Sequence, residues 1–481
     1  MKKTDGAGLA ERLFHLKQNG TTVRTEILAG LTAFMTVAYI IMLNPSLLCG
    51  GDDSLWNGVF MATCVASALA MFCMAFLANK PFILAPGMGL NSFFAVVAAS
   101  IAGSAGVSYL QGFRAGLCII LIEGVVFCVL SVLNVRQKIV EAIPLPVRIA
   151  IAPAIGMMLL NIGFGSNAGV YGEDGSVYYA MRDFFGAMTA GTFLYKAGEG
   201  VFIESVLTIV TVFAGLFLII VFARRGNKAA VLLGMLAASV IWWAGKAIFL
   251  GKDPFAALKT ASFLPPVKDF AETTLFKFDF KGLFSLGGFT VVTLIVSFCM
   301  IDMFDTIGTF MGTASRAGML DKNGNMPQMK QALLSDAIGT VAGACAGTST
   351  VTTFVESVSG VEAGGRTGLT AFVTSVIFLL CTFLSPIAAI IPSAATSAAL
   401  IYVGILMLMG LKNVHFDSME DFAPAAIMLI AMPVSGSIGH AIGLGLISFS
   451  VIRLFTGRAK EVSVLTYVLS LLFLIKFFVA V

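Results

Sequence analysis

Long apolar runs separated by short charged clusters constrain this chain more than any other feature of its sequence. Of its 481 residues, 58% are hydrophobic and 12% are charged, whereas a soluble domain carries about 25% charged residues. A helix that crosses the hydrocarbon core needs roughly 20 apolar residues, and helices that are apolar all round belong in lipid or in a deep core. The chain is therefore predicted to be an all-α polytopic membrane protein and not a soluble enzyme.

The number of apolar segments predicts about 14 membrane spans. Several segments are short or rich in glycine and proline, and the last one is either an extra span or an interfacial helix. In chain order, segments 1 to 15 lie at about 26–44, 58–78, 83–101, 112–133, 148–163, 202–222, 229–250, 287–313, 331–346, 350–363, 368–392, 394–411, 422–434, 436–455 and 463–480.

The residues that commonly bind metals or nucleic acids do not form a site in this sequence. The eight cysteines have no CxxC spacing and most lie inside apolar runs, which is typical of buried cysteine acting as a small hydrophobe. Three histidines do not favour a zinc site, and the net charge of +4 comes from lysines and arginines of the loops. We expect no metal, no cofactor and no nucleic-acid partner.

The distribution of basic residues predicts a cytoplasmic N-terminus. Short loops on one side carry lysine and arginine, whereas short loops on the other carry Asp52 and Asp53 or no charge. Short cytoplasmic loops are enriched in basic residues. The basic residues of the inner loops are Lys80, Arg136, Lys138, Arg224, Arg225, Lys228, Arg316, Lys322, Lys330, Arg366 and Lys412.

Segments 3 and 10 interrupt the helical pattern in a related way. Phe82–Phe94 has Pro86 and Gly87 early and Asn91 within, and Thr348–Gly360 opens with β-favouring residues before it turns helical. Each predicts a short strand followed by a half-helix, which membranes tolerate only where the backbone is buried in protein or lines a cavity. Their spacing of seven segments predicts a seven-plus-seven inverted repeat, with the site where the two segments meet.

Segment 8 contains two carboxylates in an otherwise apolar stretch. At about 100° per residue, Phe298, Asp302, Asp305 and Thr309 share one face of this helix. A carboxylate in a span is costly and normally faces a cavity or a partner. Asp305 is therefore predicted to bind substrate, with Thr309 beside it, and the alternative is a carboxyl paired inside the bundle. Asp302 is either a site residue or a supporting one.

Glu356 lies at the predicted start of the segment 10 half-helix. The N–H groups and positive dipole at such an end orient a polar ligand or stabilise a carboxylate; the alternative is a cap without a ligand role. Burial favours the protonated form of a carboxyl, so Asp305 and Glu356 are predicted to couple transport to protons. Phe354 is predicted to stack on a flat ligand, with Thr353 beside it. Asn91 is predicted either to offer its side-chain amide to the ligand or to hydrogen-bond to the backbone inside the protein.

The run Glu362–Gly368 contains three glycines around Arg366. Taken alone it could suggest a phosphate loop, but the lysine spacing of such loops is absent. The run is predicted to be a packing turn on the cytoplasmic side.

Four ordered motifs resemble the AzgA-like purine permeases, a branch of the nucleobase/ascorbate transporter superfamily. They are Thr32–Pro45, Ala85–Asn91, Asp305–Thr309, and Thr352–Ser357 together with Gly364–Thr370. The resemblance implies proton symport of hypoxanthine, guanine or adenine by alternating access, with proton as the driving ion, in a bacterial inner membrane.

The same resemblance implies a division of this single transporter unit into two parts. A transport core would comprise 20–135 and 285–392 (spans 1–4 and 8–11), and a gate domain 136–284 and 393–481 (spans 5–7 and 12–14). It places Asp305, Glu356 and Asn91 in contact with the nucleobase. The expected partners are a purine base, protons and the lipid bilayer, and the sequence leaves open whether the protein is a homodimer.

Related uracil and xanthine carriers differ at two of these positions. They have glutamate in place of Asp305, and some have histidine in place of Thr309. The present residues favour the purine branch. The alternatives left open are a carrier of uracil or xanthine and a carrier of an anion on the same fold.

Overall fold

The structure, a computed structural model, describes most of the chain. Arg136, Lys138 and Lys322, which the orientation argument uses, lie outside the described residues, as do parts of the predicted gate domain. The described residues are 8–133, 144–171, 177–181, 199–259, 261–316, 319, 326–354, 356–414, 417–435 and 438–479.

The described residues are mostly helical, as the apolar segments predict. The helices of segments 1 to 14 are, in order, Val23–Val37 with Ile40–Leu48, Trp56–Cys73, Met88–Ala105, Tyr109–Val132, Leu145–Gly163, Glu199–Arg224, Ala230–Leu250, Gly288–Arg316, Met329–Ala346, Ser357–Glu362, Gly368–Leu380, Ser393–Leu408, Met419–Ser435 and Ile438–Phe455. Further helices are Leu9–Phe14, Val267–Thr273, Phe280–Phe284, Ser385–Ala389 and Val464–Val479.

Nine helical stretches within the described ranges are long and apolar enough to cross a membrane. They correspond to segments 1 to 7, 11 and 12. Segment 8 forms one long helix, Gly288–Arg316, which includes the apolar stretch Gly288–Met303. The polytopic helical fold is thus confirmed, and the total of 14 spans stays a prediction.

Two short strands cross inside the bundle, as segments 3 and 10 predict. β1 (Leu84–Pro86) pairs antiparallel with β4 (Val351–Thr353), with Leu84 opposite Thr353 and Pro86 opposite Val351. All six residues are buried. The pairing satisfies backbone groups that would otherwise be orphaned at membrane depth.

A second strand pair lies in the loop after segment 5. β2 (Val170–Tyr171) pairs antiparallel with β3 (Val177–Tyr178). The sequence indicates only a long loop here, although valine and tyrosine favour strands. Both strands lie outside the helical segments and do not contribute to the crossing-strand region.

The helices pack in two groups. In the first, segment 1 packs on segment 11, segment 2 on segments 9 and 11, and segment 4 on segments 3 and 9. In the second, segment 5 packs on segments 12 and 13, and segment 6 on segments 7 and 12. Segments 3 and 5 meet between the groups, where a Cβ on Gly89 would lie 2.6 Å from Ile155 Cγ2. A glycine is required for this close approach.

A buried carboxylate joins segment 1 to segment 11. Glu26 is 0% exposed. Its carboxylate accepts hydrogen bonds from Arg366 N at 2.8 Å, Thr370 N at 3.1 Å and Thr370 Oγ1 at 2.6 Å, with a longer one from Thr367 N at 3.4 Å. These donors lie at the start of the segment 11 helix, where N–H groups have no helical partner. Gly364, at a φ of 103°, supplies the bend before them.

Candidate functional site

The paired strands each lead into a helix, one in segment 3 and the other in segment 10. Gly87 N donates to Thr350 O at 3.0 Å, and Phe354 N donates to Ile83 O at 2.9 Å. The segment 3 helix begins at Met88, and the segment 10 helix begins at Ser357. Residues that follow each strand are therefore held within one small region.

Asp305 faces this region from the segment 8 helix. Its Oδ2 lies 3.9 Å from the position that a Cβ on Gly87 would occupy, and Thr352 Cγ2 lies 2.6 Å from the same position. A side chain at residue 87 would collide with β4 and narrow the space beside the carboxylate. Gly87 thus allows the start of segment 3, β4 and Asp305 to come together.

Glu356 occupies the N-cap position of the segment 10 helix, as predicted. The Tyr39 hydroxyl donates to Glu356 Oε1 at 3.2 Å. Tyr39 is 1% exposed and lies where the segment 1 helix is interrupted between Val37 and Ile40. Tyr402, on segment 12 of the second helix group, lies within electrostatic range of the same carboxylate.

Asp305 and Glu356 lie close enough for their carboxyl groups to interact electrostatically. Asp302 and Asp305 do so as well. They come from segments 8 and 10, which are separated by the whole of segment 9. The fold thus brings together the two acids that the sequence singles out. Two carboxylates at one site present hydrogen-bond acceptors when ionised and donors when protonated.

The other residues predicted on segments 8 and 10 are buried. Thr309, Phe354 and Thr353 are 6%, 7% and 2% exposed. Thr353 Oγ1 is a buried oxygen without a hydrogen-bond partner among the described residues. A buried hydroxyl is costly when it is unsatisfied, so this atom fits a contact to a ligand.

Asn91 is used inside the protein. Its Nδ2 donates to Pro86 O at 3.3 Å, and its Oδ1 accepts from the Ser349 hydroxyl. The side chain is 0% exposed. Asn91 therefore ties segment 3 to the residues just before β4, and its contact with substrate stays a prediction.

Polar residues just before β4 are held by three different segments. Besides the Ser349 contact with Asn91, Thr348 Oγ1 accepts from Asn44 Nδ2 at 2.8 Å, and Thr350 Oγ1 donates to Glu123 Oε2 at 2.8 Å. Asn44 belongs to segment 1 and Glu123 to segment 4. Each contact orients the strand that leads to Thr353.

Sequence reasoning missed Tyr39, Tyr402 and Asp336. Tyr39 and Tyr402 lie in apolar segments of the sequence, where a tyrosine does not by itself indicate a binding site. Asp336 lies inside segment 9 and is 0% exposed. It could have been found by the criterion that selects Asp305, because it too is a carboxylate inside an apolar run.

The described residues include no group of three or more His, Cys, Asp or Glu side chains placed to hold a metal ion. A surface cavity of about 420 Å³ lies elsewhere, between the start of segment 2, the 261–269 loop and the end of segment 11. Its polar lining includes Asn57, whose Nδ2 donates to Asp269 Oδ2 at 2.6 Å and whose Oδ1 accepts from the Ser385 hydroxyl at 2.9 Å.

We expect Tyr39→Phe to weaken ligand binding without preventing membrane insertion. The variant removes a donor to Glu356, and a hydrogen bond to a charged group contributes roughly 1.5–3 kcal/mol. The apparent KM for the transported solute should rise about tenfold or more in uptake assays. The matched control is Tyr467→Phe, at a position in the C-terminal helix. It removes a hydroxyl that donates to Ala459 O at 3.2 Å. An unchanged KM for Tyr39→Phe would show that this contact does not orient Glu356.

Solved structures of membrane transporters share this fold. The chain is similar to the transmembrane domain of a cyanobacterium bicarbonate transporter, BicA, with a TM-score of 0.57, 15% identity, and coverage of 88% of this chain and 97% of that one. It is also similar to the murine anion transporter Slc26a9 in its inward-facing state, with a TM-score of 0.58, 12% identity, and coverage of 95% and 74%. At this identity the likeness shows the fold alone, a helical membrane bundle.

Sequence comparisons identify the family. The Permease family (Xan_ur_permease) matches residues 24–438. The chain is 36% identical to the adenine permease AdeP of Escherichia coli strain K12 over 475 residues, which cover 98% of this chain and 97% of the relative. It is 34% identical to the guanine/hypoxanthine permease PbuO of Bacillus subtilis strain 168 over 469 residues, which cover 97% and 100%.

The fold and the family define a multi-pass membrane transporter and not an enzyme. The chain belongs to the Permease family, and the resemblance to purine permeases that its motifs indicate is confirmed.

Proposed function

We propose that this protein is a proton-coupled symporter that imports purine nucleobases by alternating access. The observation that carries the proposal is its similarity, over nearly its full length, to an adenine permease and a guanine/hypoxanthine permease. The candidate substrates are hypoxanthine, guanine and adenine. The protein would work in a bacterial inner membrane with its N-terminus in the cytoplasm.

The site chemistry suits a purine base. A purine presents N–H donors and ring-nitrogen acceptors on a flat ring. Asp305 and Glu356 supply acceptors for its N–H groups, and the buried hydroxyl of Thr353 supplies a further polar contact. Phe354 stacks on the ring, while Thr309 and Asn91 complete the set of substrate-binding residues.

Proton coupling would arise from two partly buried acids at one site. An acid that binds the base in its ionised form in one step can take up a proton in another, which changes its affinity for the base. Asp305 and Glu356 lie within electrostatic range, so ionising one disfavours ionising the other. Proton uptake and base binding are thereby linked at these two side chains.

Alternating access would arise from movement between the two helix groups. The first, within 20–135 and 285–392, carries the site residues and would be the transport core. The second, within 136–284 and 393–481, would be the gate. Thr353 and Phe354 are only 2% and 7% exposed, so we expect the base to enter and leave through relative movement of core and gate.

The dependence of uptake on protons and on sodium tests the proposed proton coupling. Uptake of labelled hypoxanthine is expected to collapse when a protonophore abolishes the proton gradient. A membrane potential of about 100 mV contributes about 2.3 kcal/mol per charge, so accumulation should fall by up to about 50-fold. Replacing sodium with choline should leave uptake unchanged. Sodium dependence without proton dependence would contradict the proposal.

The alternatives are a uracil or xanthine carrier and an anion carrier on the same fold. An anion carrier would need a basic or neutral site, whereas Asp305 and Glu356 are acids. Competition of labelled hypoxanthine uptake by unlabelled purines, pyrimidines, sulfate and bicarbonate separates these cases. Competition by purines alone supports the proposal, and competition by uracil or bicarbonate alone contradicts it.

A further inference from the structure

Behind the ligand site, one hydroxyl joins three buried polar side chains. Thr306 Oγ1 lies 3.0 Å from Asp302 Oδ1, 3.2 Å from Asp336 Oδ2 and 2.7 Å from Thr352 Oγ1. These four residues are 0% or 1% exposed. They come from segment 8, segment 9 and β4, so the contacts connect the three elements behind the substrate site.

Counting donors and acceptors constrains the protonation state of this group. A hydroxyl donates one hydrogen and accepts at most two. If Thr306 donates to one carboxylate, its other two neighbours must donate to it. Thr352 can donate through its hydroxyl, but the second carboxyl can do so only when it is protonated. All three contacts are therefore satisfied when Asp302 and Asp336 hold one proton between them.

Electrostatic repulsion also favours a state in which Asp302 and Asp336 hold one proton between them. Both carboxyls contact one oxygen, so their nearest oxygens are no farther apart than the sum of the two contact distances. Like charges at such separations in a buried site disfavour double ionisation. Among the described residues, the other charged groups that segments 4, 8 and 9 and the turn after β4 carry are Arg114, Glu123, Asp305, Arg316, the exposed Lys330 and Glu356.

We propose that Asp302 and Asp336 share one proton through Thr306, and that the base binds tightly only while this proton is present. This inference rests on the proposed function. Loss of the proton leaves two repelling carboxylates around Thr306 and weakens the contact that holds Thr352. The next residue of β4 is Thr353, whose buried hydroxyl has no partner among the described residues, so displacement of β4 is transmitted to the ligand. Asp302 and Asp336 are thus positioning residues that link a second proton to transport.

The test uses purified full-length protein and labelled hypoxanthine, with binding measured from about pH 6 to about pH 8. In the wild type, each proton linked to binding adds one to the slope of log Kd against pH, a tenfold change per pH unit. Asp336→Asn replaces the shared acid with an amide that can donate to Thr306. We expect this variant to bind the base with a slope lower by one, to keep base exchange, and to lose most of its uphill accumulation.

Two further variants keep the proposal testable if Asp336→Asn fails to fold. Thr306→Val removes the bridge and should weaken binding at least tenfold, and Thr306→Ser should recover the wild-type pH profile. Infrared spectra should show a carbonyl stretch of a buried protonated carboxyl that is lost in Asp302→Asn or Asp336→Asn. Asp269→Asn, at the separate surface cavity, is the matched control for removing a carboxylate.

The outcomes separate this inference from the proposed function. If the wild type neither takes up purines nor depends on protons, the proposed function is wrong. If the wild type is proton-driven but Asp336→Asn has the wild-type slope and accumulation, only the shared proton is wrong. A strict sodium requirement that disappears in Asp336→Asn would also overturn it, because the oxygens would then bind sodium.

Discussion

Asp305→Asn and Glu356→Gln are each expected to reduce labelled hypoxanthine uptake by about 100-fold or more. Each substitution keeps the size of the side chain but removes an acceptor oxygen and the charge. A hydrogen bond to a charged group contributes roughly 1.5–3 kcal/mol, and each 1.4 kcal/mol is a factor of ten. Both acids are also assigned to proton coupling, so the variants lose driving force as well as affinity. The measurement is initial uptake rate, normalised to protein in the membrane fraction.

Acids outside the site provide matched controls for these two variants. Glu272→Gln and Asp253→Asn make the same chemical changes at exposed positions and should transport like the wild type. The assignment of the site would be wrong if Asp305→Asn and Glu356→Gln transported normally. Loss of protein from the membrane would instead indicate a role in folding, which is why membrane content is measured in parallel.

Glu26→Ala is expected to destabilise the whole first helix group. Glu26 is 0% exposed and accepts four hydrogen bonds from the start of segment 11. Its removal leaves buried donors without acceptors, each at a cost of about 1–3 kcal/mol. We expect a total loss on the order of 3 kcal/mol or more, measured as a lower midpoint of thermal unfolding in detergent and as reduced yield of monodisperse protein.

The matched comparison for this variant is Glu26→Gln. The amide keeps one acceptor oxygen, so its unfolding midpoint should lie between those of the wild type and Glu26→Ala. Glu272→Ala, at an exposed position, should not change the midpoint. Wild-type stability of Glu26→Ala would show that segments 1 and 11 do not depend on this carboxylate.

Much of the candidate site could be proposed from the sequence because its residues violate local rules. Asp305 and Glu356 are carboxylates inside apolar segments, where a charge is costly unless it has a function or a partner. Pro86 and Gly87 break segment 3 as the β-favouring residues break segment 10. The structure places these interruptions side by side as β1 and β4.

Other parts of the site could not be predicted because they depend on contacts between distant residues. The Tyr39 hydroxyl meets Glu356 across 317 positions of the chain. A tyrosine in an apolar helix is compatible with lipid contact or with burial, and its sequence neighbours do not distinguish these. Thr306 likewise resembles any helical threonine until Asp336 and Thr352 are placed around it.

By itself, the sequence determined that this chain is a polytopic membrane protein with two broken segments, because apolar length and interrupted helical pattern are local properties. Its motifs also indicated the family that the comparisons confirm. Only the tertiary structure decided which polar groups meet. It joined Glu26 to segment 11, Tyr39 to Glu356, and Asp302 to Asp336 through Thr306. Side-chain hydrogen bonds require atoms within about 3.5 Å, and helix packing between distant segments sets such distances.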